Sequence, residues 1–184
     1  MKILKQTIYI LTLIILVSAC NNQPQQEESI QEIAKLKQSE ISPTKPEKIS
    51  LSNDQLNAIF LQYQQLTNAL TASDISAAKI SALAVETGAA RINGGKELAI
   101  AAGKITDAKL LQVQRDNYAL LSTEFIKLLR KSGLDQGELY IAHCPMARND
   151  KGADWISHTK EIRNPYFGAD MLTCGSVTET IAGK

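Results

Sequence analysis

Residues 143–175 read HCPMARNDKGADWISHTKEIRNPYFGADMLTCG, a stretch that opens and closes on sulfur. His143-Cys144-Pro145-Met146 stands at one end and Met171-Leu172-Thr173-Cys174 at the other. Two of the chain's three cysteines and two of its three methionines fall in this one segment. In an extended segment Cys144 and Met146, two apart, point to the same side. Met171 and Cys174, three apart, share one face of a helical turn. A segment folded back on itself can then gather two thiols and two thioethers around one point. Thiolates and thioethers are soft donors, and soft donors select Cu(I) over hard cations. His143 is an optional further ligand, as is His158, and the indole of Trp155 can flank a bound cation. Zinc on Cys144, Cys174 and the two histidines would leave Met146 and Met171 without a role, and the closely spaced doublets of a zinc ribbon are absent. Asp150, Asp154 and Asp170 are scattered among turn residues, a poor cage for a hard metal.

Plainer readings stand beside this one. Cys144 and Cys174 can be a disulfide closing a loop of about thirty residues, worth about 3–4 kcal/mol in the chain-entropy picture. Met146 and Met171 can be core filler, Trp155 a packing anchor, Asn164-Pro165 a turn, and His143 a hydrogen-bonded surface residue. The soft-metal site and the disulfide staple both stay open on sequence alone, as does a combination in which the disulfide is the oxidised resting state and metal binds only after reduction. Catalysis finds less support. The paired spacing C-x-x-C of a thiol-redox enzyme is missing, and a histidine adjacent in sequence to a cysteine is not how a base is normally brought to a nucleophile. Nothing specifies an oxyanion hole or a phosphate-cradling glycine loop. The chain reads as a binding protein, not an enzyme.

The amino terminus says where such a site would operate. Lys2 and Lys5 precede an apolar run from Ile8 to Val17, too short for a membrane-spanning helix of about 20 residues and typical of a signal peptide. Val17-Ser18-Ala19-Cys20 resembles a bacterial lipobox, which implies cleavage after residue 19, a lipid on Cys20, and an envelope location. The expected address is the outer membrane, facing the periplasm, with the lipid as the one membrane contact. Removing Lys2 and Lys5 from the 20 basic residues leaves 18 against 19 acidic ones, so the mature chain is nearly neutral. No basic excess points to nucleic acid or to an anionic membrane surface. With Cys20 lipidated, Cys144 and Cys174 are the remaining thiols in a compartment that permits disulfides. Residues 20–50, rich in Gln, Glu, Lys, Ser and Pro, read as a tether with a reach on the order of 30 Å, with Ile30, Ile33 and Leu36 at helical spacing within it. Residues 51–184 suffice for one domain with a core.

That domain must position the sulfurs, and its patterning predicts an α+β fold that is mainly α. Leu56, Ile59, Phe60, Tyr63, Leu66 and Leu70 recur at helical spacing, with Ser52, Asn53 or Asp54 as the cap. Thr71–Asp74 offers a break and a new cap. A second helix from Ile75 to about Ile92 carries Ala78, Ala82, Val85, Ala89 and Ile92 on one face, small enough for close approach of a neighbour. Asn93-Gly94-Gly95 ends it. Leu98, Ala102 and Ile105 mark a third helix. Asp107 is the expected cap of a fourth, in which Leu111, Tyr118, Leu121, Phe125 and Leu128 share a face and Gly133 ends the run. Short connections predict an antiparallel bundle. Beyond Gly137 the texture becomes a small loop-rich unit carrying short β-strands. Leu139–Ile141 and Ser176–Ile181 are its strand-like runs, Asn149–Ala153 and Asn164-Pro165 with Gly168 its turns, and Trp155, Tyr166 and Phe167 its anchors to the core.

Four blocks of this tail are distinctive together: Cys144-Pro145-Met146-Ala147; Gly152-Ala153-x-Trp155-Ile156-Ser157; Ile162-x-Asn164-Pro165-Tyr166-Phe167-Gly168; and Met171-Leu172-x-Cys174-Gly175. With the helical stretch before them, over about residues 51–183, they resemble the bacterial domain-of-unknown-function family numbered 3347. The resemblance implies a secreted or lipoprotein single domain, of a kind also found attached to periplasmic adaptor subunits of heavy-metal efflux pumps. That association implies copper or a related soft metal at Cys144, Met146, Met171 and Cys174, and an efflux adaptor as partner. Met-rich and His-rich runs are absent, so one metal site per chain is expected.

Overall fold

The computed structural model describes residues 48–184. The expected signal peptide, the lipidated Cys20 and nearly all of the tether lie outside the described residues. The domain begins slightly earlier than expected, because Ser50–Leu51 already forms a strand, β1, antiparallel to β2 (Leu134–Gln136). Asn57 fastens this start by accepting from Leu51 N at 2.8 Å and donating to Leu51 O at 2.9 Å.

Helix α1 (Asp54–Thr71) starts where Asn53 accepts from the Leu56 amide at 2.9 Å, satisfying one of the free N–H groups of the first turn. Asp74 repeats this for α2 (Ile75–Ala89), accepting from Ala77 N at 2.9 Å. Helix α2 stops three residues short of Ile92, and Gly94, at φ +80°, opens the connection. Helix α3 (Lys96–Asp107) follows. Asp107 is its last residue and caps nothing. The next helix, α4 (Leu111–Ser132), begins after an extended Leu110 with no side-chain cap. Gly133, at φ +83°, ends α4 as the spacing predicts. Leu129 is the fully buried leucine near that end, with Leu128 only partly covered.

The bundle is held in two styles. Helices α1 and α2 approach closely on small residues: a Cβ on Gly88 would lie 2.8 Å from Ile59 Cγ1. Helices α1 and α4 meet through rings instead. Tyr63 packs against Phe125 at 5.0 Å between centroids and against Tyr118 at 5.6 Å. Such pairs add about 0.5–1.5 kcal/mol beyond the area they bury.

The tail folds as a three-stranded antiparallel sheet in the order β4-β3-β5, from β3 (Glu138–Cys144), β4 (Ala153–Ser157) and β5 (Ser176–Ala182). Strand β4 was not apparent in the sequence; Trp155-Ile156 is its apolar part, and both are buried. A tight turn over Ala147–Asp150, with Arg148, Asn149 and Asp150 at positive φ, links β3 to β4, and a 3-10 turn (Gly168–Met171) precedes β5. Sheet and bundle are joined by the Tyr63 hydroxyl, which accepts the Ile156 amide of β4 at 2.9 Å and shares hydrogen bonds with Ser122 and Tyr118. The ring chain continues from Tyr118 to Tyr166 at 5.6 Å and edge-on to Trp155 at 6.0 Å.

Candidate metal centre

Cys144 is the last residue of β3 and is fully buried, paired across the sheet with Ala153. Cys174 lies two residues before β5, which runs along the other side of β3, so the sheet itself brings the thiols together. Their Sγ atoms are 3.0 Å apart as free thiols, with Cys174 partly exposed. The adjacent Cys144 thiol, through its hydrogen bond, pushes the Cys174 thiol above its usual range; burial and the charge of Cys144 add to this, and the Met146 amide hydrogen-bonded to Cys174 opposes it.

The expected methionines are placed differently from each other. Strand β3 ends at Cys144, so the extended alternation that would align Cys144 with Met146 does not continue. Pro145 and Met146 form a turn, with Met146 at φ −83° and ψ −12°. The Met146 amide still reaches Cys174, and the residue is 47 % exposed. It also lines a cleft of about 300 Å³ with Gln112, Asp116, Arg148 and Phe167. Met171 holds the turn geometry expected of it: its carbonyl accepts the Cys174 amide at 3.1 Å, and its side chain is partly covered.

His143 is not brought to the sulfurs. Adjacent residues in a strand point to opposite faces, and His143 pairs across the sheet with Asp154, their side chains 2.7 Å apart at Nδ1···Oδ1. Gly152 lies beside the imidazole, where a Cβ would come within 2.7 Å of Cε1. His158 is exposed. Trp155, 1 % exposed, does flank the site: its Cη2 is 3.0 Å from where a Cβ on Gly175, next to Cys174, would stand.

Two positioning residues escaped the sequence reading. Asn164, completely buried, donates from Nδ2 to the Cys174 carbonyl at 2.8 Å, and its Oδ1 accepts from the Tyr166 and Phe167 amides. Its own amide donates to Leu172 O at 2.8 Å, so it clips both ends of the 164–174 loop and sets Cys174 beside Cys144. Arg115 of α4 donates to the carbonyls of Pro165 (3.0 Å) and Leu70 (3.1 Å) and to Ser73 Oγ (3.1 Å), joining the tail to the end of α1. Burial lowers its pKa, with Asp170 acting in the opposite direction. The signal for Arg115 was its position: a charged residue four after Leu111 and three before Tyr118, on the apolar stripe itself.

The donor set fits a soft ion with a small adjustment. Two sulfurs on one tetrahedral ion at about 2.3 Å each stand about 3.8 Å apart, so the thiols must separate by under an ångström. Among the described residues no three His, Cys, Asp or Glu side chains converge as a metal site. An ion here would therefore rely on the two thiolates and on thioether or solvent. An apolar groove of about 610 Å³ between α1 and α2, lined by Ile59, Ile80, Leu83 and Gly88, touches none of these residues.

No curated protein and no solved structure matches the chain. A family model described as "Protein of unknown function (DUF3347)" does match, over residues 59–137. The matched segment comprises most of α1, all of α2 to α4, and β2. It ends before Cys144, so the sulfur-bearing tail that carries the resemblance in sequence lies outside the match. Over this helical segment, the chain is similar to the DUF3347 family of proteins of unknown function.

Proposed function

We propose that this chain is an envelope lipoprotein that binds one soft metal ion, Cu(I) ahead of zinc, between Cys144 and Cys174. The observation that carries this reading is the pair of thiols held 3.0 Å apart at the end of the sheet, with the Met146 amide on Cys174. Cys144 is the buried anchor and Cys174 the accessible ligand. Met146 offers a thioether at the solvent edge, and Met171 stands three residues before Cys174. His143, tied to Asp154 on the other face, is left out of the ligand set. Bound there, the metal supplies no chemistry of its own; it is cargo. Two thiolates and a thioether match the preference of Cu(I) for soft, few-coordinate surroundings. An exposed Met146 and a partly exposed Cys174 suit ligand exchange, so the ion is buffered or handed to a periplasmic efflux adaptor. Lipid on Cys20 would hold the domain at the outer membrane. The role is one of binding and transfer rather than catalysis.

Anaerobic Cu(I) competition on the reduced protein tests this. One tightly held copper per chain is expected, lost in Cys144→Ser and in Cys174→Ser; unchanged affinity in either variant sinks the reading. A second reading, a metal-free interaction module stapled by a Cys144–Cys174 disulfide, is favoured by one observation of its own. The sulfurs lie closer together than two sulfurs on one ion would, and Cys144 is fully covered. Blocked thiols in protein isolated under native conditions, together with no copper after reduction, would select it.

A further inference from the structure

The two sulfurs placed to share a metal are also placed to bond to each other. We propose that Cys144 and Cys174 form a reversible dithiol–disulfide couple, entered from outside through Cys174, whose oxidation closes the soft-metal site. The proposal rests on the metal reading above and adds its regulation.

Proximity alone would be weak if the backbones could drift, but both are held. Cys144 sits in the central strand, paired with Ala153 of β4. Cys174 is held on both sides of its Cα: its amide donates to Met171 O at 3.1 Å, and its carbonyl accepts from the buried Asn164 at 2.8 Å. Arg115 ties the neighbouring Pro165 carbonyl to the bundle. The thiols are therefore presented to each other at a high effective concentration, and bonding asks only for a small inward movement of Sγ. Metal binding asks for an outward one, to about 3.8 Å. The two states also use the same thiolates, so each excludes the other.

Access sets the order of events. Cys144 is fully buried, whereas Cys174 is partly exposed beside the exposed Met146. A small-molecule disulfide such as oxidised glutathione can reach only Cys174. The Cys174 thiolate attacks one sulfur of that disulfide, its S–S bond breaks, and one thiolate leaves, taking a proton from solvent. The mixed disulfide on Cys174 is then attacked at Cys174 Sγ by the Cys144 thiolate, and the second small thiol leaves. The chain's two thiols have become one disulfide, and the external disulfide has become two thiols. No other oxidant is required.

The full chain carrying Cys20→Ser, which leaves two cysteines, is equilibrated anaerobically in reduced and oxidised glutathione of varied ratio. Free thiols are trapped by alkylation and counted by intact mass, with and without one equivalent of Cu(I). Both thiols are expected to disappear together and to return on reduction. Bound Cu(I) should shift the midpoint at least tenfold toward oxidised glutathione, and the oxidised chain should take up no copper. Asn164→Ala should lower the equilibrium constant for the internal disulfide about tenfold. Cys174→Ser should leave Cys144 free and slow to form any mixed disulfide. Thiols that stay free across the whole range, or a stable glutathione adduct on Cys174 without ring closure, would overturn the couple. Copper held equally before and after oxidation would overturn the gating. If the disulfide forms reversibly but the reduced chain takes no copper, the metal reading is what has failed, and the gating falls with it.

Discussion

Asn164 shows how much one side chain can decide. Its amide makes three hydrogen bonds without exposure to solvent, one of them to the carbonyl of the cysteine it positions. Asn164→Ala leaves the Cys174 carbonyl and the Tyr166 amide without partners, and a buried polar group left unpaired costs about 1–3 kcal/mol. The urea midpoint is expected to fall accordingly. Asn164→Asp keeps the shape and the acceptor but loses the donor, so it should weaken the placement of Cys174 while retaining the Tyr166 bond. Thiol pairing, read by glutathione equilibrium, is then expected to suffer in both variants, whereas stability suffers more in the alanine. Equal pairing in wild type and both variants would show that the sheet alone places Cys174. The residue had been legible only as half of an Asn-Pro turn, because hydrogen bonds to residues ten positions away leave no mark in local composition.

At the scale of elements, the two helix–helix contacts invite opposite tests. In most exposed helices Gly→Ala gains about 1 kcal/mol. At Gly88 the new methyl would meet Ile59 Cγ1 at 2.8 Å, near the base of a stiff side chain, and overpacking costs about 1–3 kcal/mol. Gly88→Ala is therefore expected to be neutral to destabilising, and to become favourable in an Ile59→Ala background. Additive effects in that double-mutant cycle would show that the helices part easily. Arg115 tests the joint between α1, α4 and the tail. Removing it in Arg115→Met orphans the Pro165 carbonyl, leaves Leu70 O with the Ser73 amide alone, and is expected to cost about 1–3 kcal/mol by denaturant unfolding. Lysine should not rescue it, since one ammonium cannot reproduce the planar fork that spans Pro165, Leu70 and Ser73.

For the whole molecule, the tyrosine core is the joint between bundle and sheet. Tyr63, Tyr118 and Tyr166 all have phenols raised above the usual value of 10.0, with burial the main cause in each. A raised folded pKa means that the unfolded chain loses these protons first. Their contribution to stability is intact below about pH 10 and is lost as pH rises through the folded values. Cooperative alkaline unfolding is expected, with tyrosinate absorbance appearing together with the loss of helical circular dichroism. Absorbance rising well before unfolding would mean the rings are accessible. Tyr63→Phe removes the acceptor of the Ile156 amide and should cost about 1–3 kcal/mol, detaching the sheet before the helices melt.

The helices were largely readable from the chain alone. Apolar spacing, the Asn53 and Asp74 caps, and the Gly133 stop are local events, and local events are written in neighbouring residues. The misreadings were local as well: Asp107 had cap chemistry but ended a helix, because the chain runs extended through Ala108 before α4 begins. The clustering of sulfur at both ends of residues 143–175 was equally plain in sequence. What the tertiary structure alone decided is which of those donors meet. Strand alternation turned His143 away toward Asp154, the turn at Pro145 took Met146 out of line, and pairing of β3 with β5 set Cys174 against Cys144. These outcomes depend on register and on long-range hydrogen bonds such as those of Asn164 and Arg115. A one-residue shift would have put the opposite side chains together, and nothing in the spacing of HCPM or MLTC distinguishes the two.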